Sequence, residues 1–169
     1  MHAHLLNRGM NPNLYPFAGI ERDVARFPMY DFSGRMTGFN QYRPNGEKKA
    51  PNDPQLGKYF SYVSDKQVSV FGLESFLFSK QIYLVGGMFK AATLHRLGYT
   101  ALRVSGVSPK ALLPQLQLLR RPWYAIGDND LEGVTFVSRY GGFQSPCDVD
   151  EMPDEAVHQM LEQLSCYQQ

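Results

Sequence analysis

The chain has 169 residues, 43% of them hydrophobic and 20% charged, with a formal net charge of +1. That is an ordinary globular composition, long enough for one domain with a real core or two small lobes sharing one. It holds no apolar run of membrane-span length, which excludes a spanning helix and a membrane partner. The small net charge hides an asymmetry. Residues 1–121 carry 16 Lys and Arg against 7 Asp and Glu, a net of +9, and residues 122–169 carry one Arg against nine acids, a net of −8. Such a split has two readings: a polyanion surface beside a cation site, or two halves that neutralise each other internally.

In chain order, residues 1–25 are rich in Asn, Pro and Gly and read as an irregular arm, with His2 and His4 on a solvated terminus. The opening "MHAHLLNRGMNPNLYPF" lacks the basic start and apolar middle of a secretory signal, so a cytoplasmic location is expected. "FPMYDFSGRMTGFNQYRP", residues 27–44, reads as a hairpin turning at Ser33-Gly34. Residues 44–60, with three prolines and two glycines, read as a loop. "QVSVFGL" then predicts a short strand, and Glu74 to Ser79 a helical turn.

From residue 81 the rhythm changes. "IYLVGG" is a buried strand, followed by a helix over "MFKAATLHRLG" with Gly98 as its stop. "TALRVSG" is the next strand. A helix follows with Ser108 as N-cap, Pro109 at its first position and Pro114 expected to bend or shorten it. "WYAIGDND" is a third strand, "LEGVTFVSRYGG" a third helix, and "MPDEAVHQMLEQLSCYQ" a last amphipathic helix with Val157, Met160, Leu161 and Leu164 inward. Alternating strands and helices specify a small parallel sheet with crossovers. In such sheets function gathers at the carboxyl ends of the strands, where Gly86-Gly87 and Asp128-Asn129-Asp130 both fall. Cys147 and Cys166 are too few and too far apart for a zinc knuckle, and two free thiols fit a reducing compartment.

"GDNDLEG", residues 127–133, places two carboxylates one residue apart after a buried strand. Such a pair can share a Mg²⁺, which takes oxygen ligands and keeps several waters. It can equally end a strand and cap a helix, with Asp130 accepting from the first turn.

The order of these parts resembles the Toprim domain of bacterial-type primases, topoisomerases and related nucleases. "LVGGMFKAATLHRLGYTA" is similar to its first motif with Gly87 as the motif glycine, "AIGDNDLEG" to its Asp-x-Asp motif, and "SPCDVDEMPDEAV" to a third acidic patch with Asp148. Upstream, "FPMYDFSGRMTGFNQYRP", "KKAPNDP" and "DKQVSVFGLE" are similar to the basic lobe of the primase catalytic core. The resemblance covers residues 27–155. It implies an α/β fold with a small Toprim-like parallel sheet and flanking helices, preceded by a β-rich basic lobe. Its division would be an arm over 1–25, the basic lobe over 26–80 and the Toprim-like lobe over 81–169. It implies Asp128, Asp130 and Asp148 as ligands of Mg²⁺. Arg35, Arg43, Lys48, Lys49, Lys66, Lys90 and Tyr42 would face nucleic acid.

The chain departs from that family at Gly86, where the family carries a glutamate, and at Lys90, where family primases often carry an Asp. A glycine neither shuttles a proton nor ligates through a side chain, so the expectation is binding rather than catalysis. The implied function is binding of single-stranded DNA in phage-type replication or polymerase recruitment, in a host cytoplasm. The alternatives are an active Mg²⁺-dependent minimal primase or Toprim nuclease using Asp128 and Asp130, and a protein-interaction module using the acidic C-terminal helix.

Overall fold

The structure, a computed structural model, describes residues 1–64, 68–104 and 106–166. It contains two four-stranded sheets. The first is antiparallel, built from β1 (Gly19–Ile20), β2 (Ala25–Tyr30), β3 (Met36–Tyr42) and β4 (Tyr59–Val63) in that spatial order. The second is parallel, built from β5 (Ile82–Val85), β6 (Thr100–Arg103), β7 (Trp123–Gly127) and β8 (Gly142–Gln144) in the order β6-β5-β7-β8. The helices are α1 (His2–Asn7), α2 (Met88–Arg96), α3 (Pro109–Leu118), α4 (Leu131–Tyr140) and α5 (Asp154–Cys166). This is the expected α/β architecture of a parallel sheet with flanking helices preceded by a β-rich portion.

The β2–β3 hairpin turns where expected. Gly34 adopts φ +84°, and the Asp31 carboxylate accepts from the backbone N–H groups of Ser33 and Arg35 at 2.9 and 3.1 Å. β4 was missed as a loop. Tyr59 to Val63 follow a Pro- and Gly-rich stretch, yet they pair along β3 from Tyr42↔Tyr59 to Gly38↔Val63. The strand expected over "QVSVFGL" is reduced to two isolated bridges, Tyr30↔Val70 and Phe71↔Arg103. Because those bridges reach β2 on one side and β6 on the other, this short segment ties the two sheets together.

β5 is buried on both faces, as the centre of a parallel sheet must be. Ile82 and Leu84 pack with Leu112 and Leu116 of α3 and Tyr140 of α4. Tyr83 and Val85 pack with α2, α5 and the inner face of the antiparallel sheet. α3 runs through Pro114 for its full ten residues, and its Ser108 side chain makes no capping hydrogen bond. In α5, Val157 and Leu161 are buried and Met160 and Leu164 partly so, as expected.

The first 25 residues depart most from expectation. They form α1, a 3-10 turn and β1, and bury Leu5, Met10 and Tyr15 in the core shared by both sheets. The Tyr15 hydroxyl lies 2.7 Å from His95 Nδ1 on α2, while His95 Nε2 lies 2.8 Å from the Ala101 carbonyl. His4 packs against Tyr42 with its Nε2 2.8 Å from the hydroxyl, so its ring belongs to the packing of the fold.

Candidate nucleic-acid interface

The strand order places the topological switch between β5 and β7, the point where open parallel sheets bind ligands. Gly86-Gly87 follow β5 and Asp128 follows β7. β7 and α4 approach closely here. A Cβ on Gly133 would lie 1.9 Å from the Asp128 carbonyl oxygen, and one on Gly127 2.4 Å from the Gly133 carbonyl. Glycine at both positions therefore lets the acidic turn sit tight on the helix. The Gln144 amide donates to the carbonyls of Asp128 and Asp130 at 3.0 and 3.2 Å and holds the turn from β8.

The three acids expected to share a cation have separate tasks. Asp130 caps α4, its Oδ1 accepting from the Gly133 N–H at 2.7 Å. Asp128 and Asp148 are joined by Lys90, whose Nζ donates to Asp128 Oδ1 and, at 3.2 Å, to Asp148 Oδ1. Lys90 leaves the first turn of α2 with its side chain only 12% exposed, against 37% for Asp128 and 46% for Asp148. Burial pulls the Lys90 pKa down, but hydrogen bonds and charge from Asp128, then Asp148, outweigh it and hold the ammonium above its ordinary value. Among the described residues no three of His, Cys, Asp or Glu form a metal-sized group. The cation in this seat is the protein's own, so the arrangement as it stands does not fit a Mg²⁺.

Other pairs also join the basic front to the acidic rear. Arg96 is bidentate on Asp154 at 2.6 and 2.7 Å, and Arg8 reaches Asp150 at 3.3 Å while lying over the Phe89 ring. Part of the charge asymmetry is thus internal neutralisation. A cleft of about 660 Å³ lies between the inner face of β3–β4 and the carboxyl rim of the parallel sheet, and Lys48, Lys58, Arg103 and Tyr59 are among its lining residues. A second groove of about 570 Å³ runs along α4 from Asp128 to Tyr140. The two share Gly86, Gly87 and Lys90.

The residues expected to touch nucleic acid are dispersed. Lys48 lines the cleft. Arg43 is half-buried, donating to the Gln55 carbonyl at 3.3 Å, and Lys49 is exposed on the same loop. Arg35 is on the opposite end of β3, paired with Asp31 at 3.2 Å. Arg35 and Arg43 are eight residue steps apart, so an extended rise puts them roughly 27 Å apart. Lys66 lies outside the described residues. Lys90 is engaged by the acids.

Tyr42 must be corrected outright. It is 1% exposed, wedged against Phe89, Tyr59 and His4, so no base can stack on it. On β4 the aromatic faces open to solvent are Tyr59 and Tyr62, the latter stacked on Phe39 at 5.6 Å. Lys58 and Arg103 of the cleft are not among the basic residues expected from the sequence. Tyr59 sits opposite Tyr42, and recognising β4 would have exposed that alternation.

No model of a known protein family matches the sequence, and neither does any curated protein. Solved structures do match. The primase fragment of the bacteriophage T7 primase-helicase is similar at 16% identity and TM-score 0.65, covering 95% of this chain and 73% of that one. The Aquifex aeolicus primase, zinc-binding and RNA polymerase domains, is similar at 17% identity and TM-score 0.62, with 96% of this chain and 54% of that chain covered. A DnaG primase catalytic domain bound to ssDNA is similar at 20% identity and TM-score 0.62, with 94% and 63% covered. The fold is therefore that of the catalytic core of DnaG-type primases. The chain spans roughly half to three-quarters of the structures it matches.

Proposed function

We propose that this chain binds single-stranded DNA on a primase-like core from which metal-dependent synthesis has been lost, and serves phage-type DNA replication or polymerase recruitment. The observation that carries this reading is Lys90 bridging Asp128 and Asp148. An ammonium there neutralises two carboxylates that would otherwise draw a divalent cation. It has no open coordination position with which to polarise a phosphate oxygen. Gly86 supports the same reading, since it offers no side chain as acid or base.

Binding itself is supported by unpaired positive charge at one end of the antiparallel sheet. The loop joining β3 to β4 is pinned shut by Arg43 N–H to the Lys58 carbonyl at 2.9 Å and Lys58 N–H to the Glu47 carbonyl at 2.7 Å. Lys48 and Lys58 line the cleft beside the half-exposed Tyr59 ring, and Arg43 and Lys49 belong to the same loop segment. Such cations neutralise backbone phosphates, and a tyrosine face offers a stacking platform indifferent to sequence. Mg²⁺ has no part in this binding.

Fluorescence anisotropy of labelled single- and double-stranded DNA, across a salt series with and without Mg²⁺, tests the proposal. Four engaged cations give a slope of log affinity against log salt of about −3 for single strands. That slope should be unchanged by Mg²⁺ and should flatten in an Arg43, Lys48, Lys49 triple alanine variant. Oligonucleotide synthesis that depends on Mg²⁺ and is lost in Asp128→Asn would overturn the reading in favour of an enzyme.

A further inference from the structure

Arg103 ends β6 on the carboxyl rim of the parallel sheet and turns into the floor of the cleft. Its backbone is fixed by a reciprocal pair of hydrogen bonds with Phe71, at 2.9 and 3.3 Å. Its guanidinium finds only weak neutral acceptors, Met29 Sδ at 3.4 Å and Ser61 Oγ at 3.3 Å. Among the described residues no carboxylate pairs with it, and burial alone pushes its pKa down to about 10. Of the three acids that line the cleft, Asp148 is paired with Lys90 and Asp150 with Arg8, while Glu151 stays exposed and, among the described residues, forms no ion pair with Arg103. A guanidinium desolvated without a counter-charge is destabilising to the fold.

A second, independent observation lies beside it. The Ser61 hydroxyl donates a hydrogen bond to Asn40 Oδ1 at 2.8 Å, which orients the Asn40 amide so that Nδ2 faces away from Ser61. Asn40 is only 3% exposed, lines the same cleft, and its Nδ2 has no acceptor. The cleft also receives the start of α2, whose N-cap is Gly87 and whose first-turn N–H groups gain no side-chain cap. Arg103, Asn40 and the first turn of α2, from three separate elements, thus line one cleft.

We propose that Arg103 and Asn40, oriented by Ser61, form a phosphate-binding subsite in the floor of this cleft. This deepens the reading of the chain as a nucleic-acid binder and rests on it for the source of the phosphate. The planar guanidinium fork and the amide match phosphate oxygens in number and geometry. A phosphate seated there supplies the counter-charge that the fold withholds from Arg103. The same chemistry is offered by the phosphate of a DNA strand and by that of a free nucleotide.

Thermal melting with inorganic phosphate, dTTP and a 5′-phosphorylated oligo-dT tests the subsite, using the full chain and its Arg103→Met and Asn40→Asp variants. Met keeps the aliphatic bulk and removes the charge, whereas Asp supplies an internal carboxylate that occupies the guanidinium. Both variants should melt at or above the parent temperature without ligand, and both should lose the stabilisation that phosphate-bearing ligands give the parent. A purely structural arginine would do the opposite and melt lower as Met. Anisotropy then separates the sources: 5′-hydroxyl oligo-dT, whose phosphates are all internal, should bind the parent more tightly than Arg103→Met if the strand fills the subsite, whereas equal binding to both, with dTTP stabilising the parent alone, assigns the subsite to a free nucleotide.

If DNA binding is salt-dependent but identical in parent and variants, with no ligand-induced stabilisation, the subsite is refuted and the nucleic-acid reading stands. If no DNA binds but dTTP stabilises only the parent, the subsite stands with a nucleotide as its ligand and the nucleic-acid reading falls.

Discussion

Replacing Lys90 by Met keeps the chain length of the side chain and removes the one charge that holds Asp128 and Asp148 together. Two unit charges in contact at an effective dielectric of 20 attract by about 4 kcal/mol. Both carboxylates are more than a third exposed, 37% and 46%, so solvent screens most of that attraction. The ammonium is itself only 12% exposed, which keeps the loss above that of a surface pair. The variant should lose about 2 kcal/mol, a fall of about 4–8 °C in Tm for a chain of this size. The two freed carboxylates then suit a Mg²⁺ that retains most of its waters. At ten times its Kd the ion would restore about 1.4 kcal/mol. Differential scanning calorimetry with and without MgCl₂ reads both effects: the parent should be indifferent to the ion and the variant partly rescued. A parent that gains as much from Mg²⁺ as Lys90→Met would show that the ammonium does not occupy the cation seat.

Acid should weaken the fold through His95, whose burial lowers its pKa from 6.5 to about 4. The folded state keeps this ring neutral, so stability is full above pH 6.5 and falls as the unfolded chain alone takes the proton between pH 6.5 and 4, by about 3 kcal/mol in total. Urea melts from pH 6.5 to 4.5 should show that decline, and His95→Gln should flatten it; an equal slope in both proteins would acquit the histidine. Leu5→Ala should cost about 3 kcal/mol, because Leu5 is fully buried in the shared core. A denaturant midpoint moved by less than about 0.5 kcal/mol would mean that the N-terminal segment is solvated after all.

What could be foreseen from the sequence followed from period and punctuation. β5, α2, β6, α3, β7 and α4 were legible because uninterrupted buried strands alternate with amphipathic turns and stop at Gly98 or start at Pro109. β4 was hidden because Tyr59 to Val63 is a strand whose residues remain largely solvent-accessible, directly after prolines that signal a loop. The arm was misread for a different reason: Leu5, Met10 and Tyr15 are anchors spaced without helical or strand period, and polar residues separate them. Local pattern carries no trace of a long-range seat. At the site, the two acids on their strand end were visible, and so was the unexpected lysine at position 90. That Lys90 reaches both Asp128 and Asp148 depends on how α2 leans over the rim, which no spacing rule encodes. Tyr42 illustrates the opposite error, since an aromatic beside an arginine in a basic stretch looked exposed and is instead the lid over Phe89.

The single core that joins Leu5 and Tyr15 to Phe27 and Tyr42 on one sheet and to Tyr83 and Val85 on the other has a mechanical consequence. A nucleic-acid clamp that closes needs a hinge, a line along which packing is thin enough to slide. Here the line between the two sheets is stitched twice, by the Val70–Phe71 bridges and by the N-terminal segment that laces Tyr15 to His95. The jaws are welded. A ligand entering this cleft meets two sheets that share one core, so it must fit the space as built and cannot draw the two walls together around itself.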